Sequence, residues 1–356
     1  MFKRILVPLD GSLLAERAIP HAELFARTFG STIVLLQILD PTSLRINPNP
    51  VNPLNWQIQK TEADMYLHGI AARIRSELRE GLQNKEKDGK KSTVEYAIRE
   101  GKPAENIVNF ASTENIDLLI LSTHGAGGLS RWNISSVTQK VIDLIYLPVL
   151  IIRSFIQPEP ENNKLHYRRI LLPIDSSRRA ECSLSAGIAL ARGEMSADLP
   201  VEENNPEPIQ ADKNVIPPQT KLYLAAVIKP PEIPIPEPYP IEIEQLSNQL
   251  MQISRQAVTK YLGEMKDRLP VESDICVVEN NSVSSAIQEL ASKEETIDLV
   301  LLCAHGHTGE SSWPYGSVAR NYIEQGTKPV LIIQDIHRSQ VRPTAAEIAS
   351  GNSGGR

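Results

Sequence analysis

The chain carries one sequence pattern twice. "RILVPLDGS" from Arg4 returns as "RILLPIDSS" from Arg169, and "IDLLILSTHG", ending at Gly125, returns as "IDLVLLCAHG", ending at Gly306. Trp132 pairs with Trp313, "SSV" from Ser135 with "GSV" from Gly316, and "LPVLIIR" with "KPVLIIQ". From Asp117 to Ile152 the spacing to the second copy holds without a gap. The opening segments lie closer together, so the second copy carries a net insertion. Chance does not produce such a register. It restricts the chain to a tandem duplication of one domain type. With 356 residues in all, each copy has the length of an ordinary domain.

Each copy alternates strands with helices. Ile5 to Leu9 is a short apolar strand, and Leu13 to Phe29 has helical apolar spacing that stops at Gly30. Thr32 to Leu39 and Val94 to Glu100 are further strands. "PAENIVNFASTEN" is a helix with Pro103 in its first turn, where a missing N–H costs nothing. Leu118 to Leu121 is a fourth strand, Val137 to Tyr146 a helix and Val149 to Ile152 a fifth strand. Continuous Val/Ile/Leu runs alternating with helices predict a buried parallel sheet covered on both faces. The fold class is α/β: two doubly wound, five-stranded, mainly parallel sheets in tandem.

Composition sets the boundaries. "SFIQPEPENNKLHY", residues 154–167, is rich in Pro, Asn and charge and reads as a linker between a first domain at 1–153 and a second at 168–336. Within the second, about 193–220 ("GEMSADLPVEENNPEPIQADKNVIPPQ" and its flank) is acidic, proline-rich and without apolar period, which predicts a disordered insert. "KPPEIPIPEPYP" from Lys229 predicts an extended, polyproline-II-like stretch. Residues 337–356 read as a tail.

Other numbers exclude function classes. The chain is 41% hydrophobic and 22% charged, the balance of a soluble globular protein, and its formal net charge is -6. A mildly acidic chain lacks the basic footprint for nucleic acid or anionic membrane. No apolar run approaches the roughly 20 residues of a membrane span, and "MFKRILVPLD" has no signal-peptide core. The three cysteines, Cys182, Cys276 and Cys303, are scattered without a CxxC, which fits a reducing cytoplasm.

The chemistry concentrates in "LSTHGAGGLSRWNISSV", Leu121 to Val137. An apolar strand ends, a glycine turn follows, and serines open a helix. In a doubly wound sheet this edge, beyond the carboxyl ends of the strands, is where ligands bind. Small residues let backbone N–H groups approach phosphate oxygens, and a helix N-terminus aims its dipole at the same place. Ser136 and Ser317 sit where an N-cap is expected. There is no GxxxxGK[ST], hence no P-loop lysine. "GAGG" is not a dinucleotide fingerprint, because the second copy reads "GHTG" and the turn follows a late strand.

These residues resemble the universal stress protein family, and the whole chain resembles its tandem form. Nucleotide-binding members carry Gly-x2-Gly-x9-Gly-[Ser/Thr] after the fourth strand and P-x-D near the end of the first. Here the second copy reads Cys303-x2-Gly306-x9-Gly316-Ser317, followed by Val318, and the first reads Ser122-x2-Gly125-x9-Ser135-Ser136, followed by Val137. Pro8 and Asp10 match the opening motif, as do Pro173 and Asp175. Ile38 and Val227 fall where the family's backbone contact to adenine lies. The resemblance implies an adenine nucleotide alpha hydrolase-like fold and binding of ATP, or of AMP or ADP, with Mg2+ through Asp10 or Asp175. It also implies a role in stress response. In this family the fifth strand often makes a dimer edge. The two copies can pair there within the chain, and a homodimer of such chains is a further expected partner.

Both copies lack the first glycine, and the first copy also lacks the third. If those positions need positive φ, a non-glycine costs about 1–2 kcal/mol, roughly tenfold in affinity. The second copy keeps more of the pattern and ranks above the first.

Several residues carry a plain reading beside a sharp one. His124 and His305 precede the turn glycine. With no nucleophile or carboxylate assignable beside them, they read as turn-stabilising residues ahead of bases. Asp10 and Asp175 either serve the ligand or cap the first helix. Cys303 either fills the glycine slot or senses redox state. Trp132 and Trp313 either cover a ligand or pack on the next helix. No lysine clamp, arginine finger or positioned base supports efficient hydrolysis. The expectation is therefore a nucleotide-dependent regulatory or interaction module. Its rivals are an interaction scaffold that binds no nucleotide and a slow ATP hydrolase or autophosphorylating protein.

Overall fold

The computed structural model describes residues 1–41, 53–80, 93–125, 127, 134–155, 165–198, 220–234, 239–293, 297–307 and 314–336. The first copy runs β1 (Arg4–Leu9), α1 (Leu13–Glu16), α2 (Ile19–Phe29), β2 (Thr32–Leu39), α3 (Pro53–Glu80), β3 (Val94–Glu100), α4 (Pro103–Thr113), β4 (Leu118–Ser122), α5 (Ser136–Leu144) and β5 (Val149–Ile152). The second runs β6 (Arg169–Pro173), α6 (Cys182–Asp198), β7 (Lys221–Ile228), α7 (Ile241–Arg268), β8 (Ser273–Glu279), α8 (Val283–Lys293), β9 (Leu299–Cys303), α9 (Ser317–Gln325) and β10 (Val330–Ile333). Among the described residues no helix is long and apolar enough to cross a membrane.

The two five-stranded halves join into one ten-stranded sheet, in the order β3-β2-β1-β4-β5-β10-β9-β6-β7-β8. All pairings are parallel except the seam, where β5 meets β10 antiparallel with Leu150 opposite Leu331. Each half hides the other's edge strand at the seam. Strand residues alternate between faces. In β1, Ile5, Val7 and Leu9 join the core under α1, α2, α3, α6 and α7, while Leu6 joins the core under α4, α5, α8 and α9. Both cores run through the two halves without a break at the seam.

Buried polar contacts fix the seam. The Arg153 guanidinium donates to the carbonyls of Tyr322 (2.6 Å), Ile323 (2.7 Å) and Lys328 (3.2 Å), capping the end of α9. Tyr315 Oη donates to the Leu147 carbonyl at 2.9 Å. The His21 ring and the Tyr167 hydroxyl hydrogen-bond between the halves. Gly193 of α6 lies against Thr28, next to the end of α2, where a Cβ would come within 2.4 Å of the Thr28 methyl.

The structure corrects several expectations. Leu13 to Phe29 is two helices, because Pro20, in the first turn of α2, has no N–H with which to continue α1. Gly30 ends α2 in the left-handed region, at φ 66. The sequence reading assigns nothing between the second and third strands, where α3 and α7 each span 28 residues. In α3 the buried side is Ala63, Leu67, Ile70, Ala71, Ile74 and Leu78, a helical period that begins only at Ala63. The expected insert begins inside α6, which continues to Asp198; residues 199–219 lie outside the described residues, as do 337–356. The linker is anchored at both ends, since Ser154 and Tyr167 are buried; residues 156–164 are not described.

Candidate functional site

Strand order reverses between β1 and β4 in the first half and between β6 and β9 in the second. The β1–β4 ladder runs only to Leu6, whereas β1–β2 continues to Leu9. The β6–β9 ladder likewise stops at Leu171. Pro8 and Pro173 occupy the stretch where that pairing has ended. A proline has no N–H to give to a ladder, so it suits a strand parting from its neighbour. The strands part at the carboxyl edge of each half, and it is in the crevice outside such a point that doubly wound sheets take their ligands.

One wall is the turn after the first strand. Asp10 Oδ1 accepts from Ser12 N (3.0 Å) and Ser12 Oγ (2.6 Å), and Ser12 Oγ accepts from Ala15 N at 3.2 Å. In the second half Asp175 Oδ1 accepts from Ser177 N (3.0 Å), and Ser177 Oγ accepts from Ala180 N (3.1 Å). The aspartates are thus not the helix caps. Ser12 caps α1, and Asp10 braces Ser12. Between them Gly11 has φ 82 and its counterpart Ser176 has φ 62. A serine in that region carries backbone strain of about 1–2 kcal/mol. The sequence signal was present, DGS against DSS, but only geometry gives it meaning.

The other wall is the turn after β4 or β9. A Cβ on Gly125 would sit 1.9 Å from Asp10 Oδ2, and one on Gly306 would sit 2.2 Å from Asp175 Oδ2. In both halves the motif aspartate fills the space that glycine leaves. Asp175 Oδ2 also accepts from His307 N at 2.7 Å, tying the two walls together.

The helices after these turns dock alike. Ser135 N donates to the Thr123 carbonyl at 2.7 Å, and Gly316 N donates to the Ala304 carbonyl at 2.8 Å. Ser135 is the N-cap of α5, its Oγ accepting from Thr138 N at 3.1 Å. Gly316 is the N-cap of α9. Ser136 and Ser317 are therefore the first helical residues, one position past the expected caps, and both are exposed with Val137 beside Ser136. Val318 is half-buried and packs on the core. The first N–H groups of an α-helix have no intrahelical partner, and those of the first turn open onto this edge.

The missing glycines do not carry the strain the sequence raised. Ser135 has φ -63 and Gly316 φ -67, so the third position is extended in both halves. Ser122 and Cys303 close their strands, and neither has positive φ. Their side chains are engaged below the turn. Ser122 Oγ donates to the Leu14 carbonyl at 2.7 Å and meets Ser154 Oγ at 2.5 Å. Cys303 Sγ lies 3.0 Å from Cys182 Sγ.

Both histidines are buried beneath the turn. Ser154 Oγ accepts from His124 N at 2.9 Å, and His124 Nδ1 lies 3.1 Å from Thr123 Oγ1. His305 Nδ1 is 2.8 Å from Asp335 Oδ1, with Arg179 at 3.6 Å from the other oxygen. Burial opposes the Asp335 charge, yet the hydrogen bond and charge of His305, helped by Arg179, hold that carboxyl below its usual range. Asp335 is the carboxylate partner that sequence reading could not assign, because it lies 30 residues away, just after β10. Ile38 and Val227 lie half-buried at the ends of β2 and β7, one strand from the crevice on the same edge. Trp132 and Trp313 lie outside the described residues. Among the described residues no group of three His, Cys, Asp or Glu could hold a metal ion.

Comparison with known proteins agrees with this architecture. The family described as the universal stress protein family matches residues 1–153 and 211–334. The chain belongs to that family, with two of its domains in one polypeptide. A universal stress protein of Methanocaldococcus jannaschii is 28% identical over 164 residues, covering 43% of this chain and 96% of that protein. One of Bacillus subtilis is 27% identical over 155 residues, covering 43% of this chain and all of its own length. A solved universal stress protein of Archaeoglobus fulgidus aligns over 93% of this chain and 96% of its own, with TM-score 0.55 and 14% identity. At that identity it speaks for the fold alone.

Proposed function

We propose that this chain binds an adenine nucleotide, ATP or AMP or ADP, at the carboxyl edge of its sheet, and that occupancy regulates its interactions during stress. The observation that carries the reading is the repeated crevice. In each half a proline parts two strands, an aspartate is locked against a turn glycine, and a helix N-terminus is docked on the same turn. The donor set fits a phosphate chain: small turn residues, exposed Ser136 and Ser317, and first-turn N–H groups. Ile38 and Val227 are the backbone positions for the base. Pro8, Asp10, Ser122, Gly125, Ser135, Ser136 and Val137 would frame the first site. Pro173, Asp175, Cys303, Gly306, Gly316, Ser317 and Val318 would frame the second. Mg2+ would arrive with the nucleotide, with Asp10 and Asp175 as the nearest motif carboxylates.

The interaction-scaffold reading has one observation of its own. Leu246, Leu250 and Ile253 are exposed at i, i+4 and i+7 along α7. Mass spectrometry of nucleotide released from natively purified protein, counted per chain, separates the two. Two nucleotides per chain mean both crevices are filled. One, lost on Ser317→Asp and kept on Ser136→Asp, assigns it to the second half. None, with no thermal shift at an ATP concentration that should stabilise by about 2.7 kcal/mol if it were 100 times Kd, overturns nucleotide binding.

A further inference from the structure

Cys182 opens α6 and Cys303 closes β9; 121 residues apart in sequence, their sulfurs are 3.0 Å apart in the fold. Both are free thiols and half-buried. The pair belongs to the second half alone. The aligned residues of the first half are Arg17 and Ser122. Cys276, the third cysteine, lies in β8.

The two thiols are unequal. The hydrogen bond shared with Cys303 lowers the Cys182 pKa against the opposing pull of burial and of Asp335. The N-terminus of α6 favours the thiolate further. Cys303 is pushed up by the same hydrogen bond, by burial and by the charge of Cys182. The charged group facing both is Asp335, itself held by His305 and Arg179. Its place at the N-terminus of α6 sets Cys182 as the nucleophile and leaves Cys303, at the end of β9, as its partner.

We propose that Cys182 and Cys303 form a redox-active dithiol that hydroperoxides convert to an intramolecular disulfide. The Cys182 thiolate attacks the terminal peroxide oxygen, the O–O bond breaks, and the alcohol, or water from hydrogen peroxide, departs after taking up a proton. Cys182 becomes a sulfenic acid. The Cys303 sulfur then attacks the Cys182 sulfur, loses its proton and displaces water. Two thiols and one hydroperoxide give one disulfide, one alcohol and one water. The sulfurs need only close from 3.0 Å to about 2 Å. The bond ties the end of β9 to the start of α6. The proposal does not depend on nucleotide binding.

The test uses the full chain, reduced and then treated with hydrogen peroxide at one equivalent per chain. Alkylation, digestion and mass spectrometry should find a Cys182–Cys303 cross-linked peptide, a chain lighter by two hydrogens and an alkylated Cys276. Dithiothreitol should restore all three thiols. Cys303→Ser should accumulate a dimedone-reactive sulfenic acid at Cys182. Cys182→Ser should slow thiol loss by at least about tenfold, since it removes the thiol at the helix N-terminus that makes the first attack. Both thiols still alkylated after Cys276 has oxidised, a disulfide to Cys276 or one between chains would each overturn the assignment.

Discussion

Gly306→Ala tests why the turn after β9 needs a glycine. A Cβ there would lie 2.2 Å from Asp175 Oδ2 and 3.3 Å from its Cγ, so the carboxylate must withdraw by more than about 1 Å to reach ordinary contact. Asp175 is exposed and can rotate, so the clash itself is cheap. What rotation surrenders is the 2.7 Å bond from His307 N and the 3.0 Å bond from Ser177 N. A hydrogen bond to a charged group contributes about 1.5–3 kcal/mol, less at an exposed site. Against this, alanine restricts the unfolded chain by about 0.4–1 kcal/mol where the backbone permits it. The expected net loss is about 1 kcal/mol. The sharper expectation concerns sign. In an Asp175→Ala background nothing obstructs the new methyl, so Gly306→Ala should be neutral or stabilising. Urea unfolding of the wild type, both single variants and the double variant closes the cycle. Equal costs for Gly306→Ala in both backgrounds would refute the claim that the aspartate is what the glycine accommodates.

Ser135→Ala removes the side-chain cap of α5 and should cost about 1 kcal/mol in urea unfolding; an unchanged midpoint would mean the cap contributes nothing. Ser176→Gly relieves a left-handed serine at φ 62 and should raise the unfolding free energy by about 0.5–1 kcal/mol after glycine's own entropy cost, read as a higher urea midpoint. Glu23 of α2 is raised from 4.5 to about 8 by burial, then by the hydrogen bond and charge of Glu77. Folded Glu23 therefore keeps a proton that the unfolded chain releases. Its contribution is full below pH 4.5 and lost as pH climbs to about 8. Glu23→Gln should flatten that fall in stability across the same window, and an unaltered slope would assign it elsewhere.

Strands were the most legible elements. β2 and β5 lie where apolar runs end in charge, because a buried parallel strand must be apolar on both faces, whereas β3, at the sheet's edge, was marked by alternation. The long helices were not legible. The earlier half of α3 and most of α7 bury little, so no apolar period marks them, and only Leu262 and Met265 of α7 are buried. Motif spacing located the site residues but not their chemistry. Sequence placed Asp10 and Asp175 as caps or ligand groups. Geometry makes them braces, since each lies against a glycine more than 100 residues away. The supposed cost of the lost glycines rested on a backbone angle that sequence does not carry. The angle is negative at Ser135 and Gly316 alike.

The two crevices differ in a patterned way. Where the first glycine is replaced by Ser122, the second residue after the fifth strand is Ser154, and the two hydroxyls meet. Where it is replaced by Cys303, the corresponding residue is Asp335, which turns to His305 and Arg179 while the thiol turns to Cys182. Each replacement is absorbed with its neighbours beneath the turn. What the halves share is the backbone above it: an aspartate-braced serine turn, an aspartate against a glycine, and a helix N–H docked on the carbonyl after the strand. A ligand recognised by backbone N–H groups, as a phosphate is, meets these shared elements in both halves. A ligand recognised by side chains would tell them apart at once. On the proposed nucleotide reading, the two crevices should take inorganic triphosphate with similar affinity in calorimetry and differ in their response to oxidation.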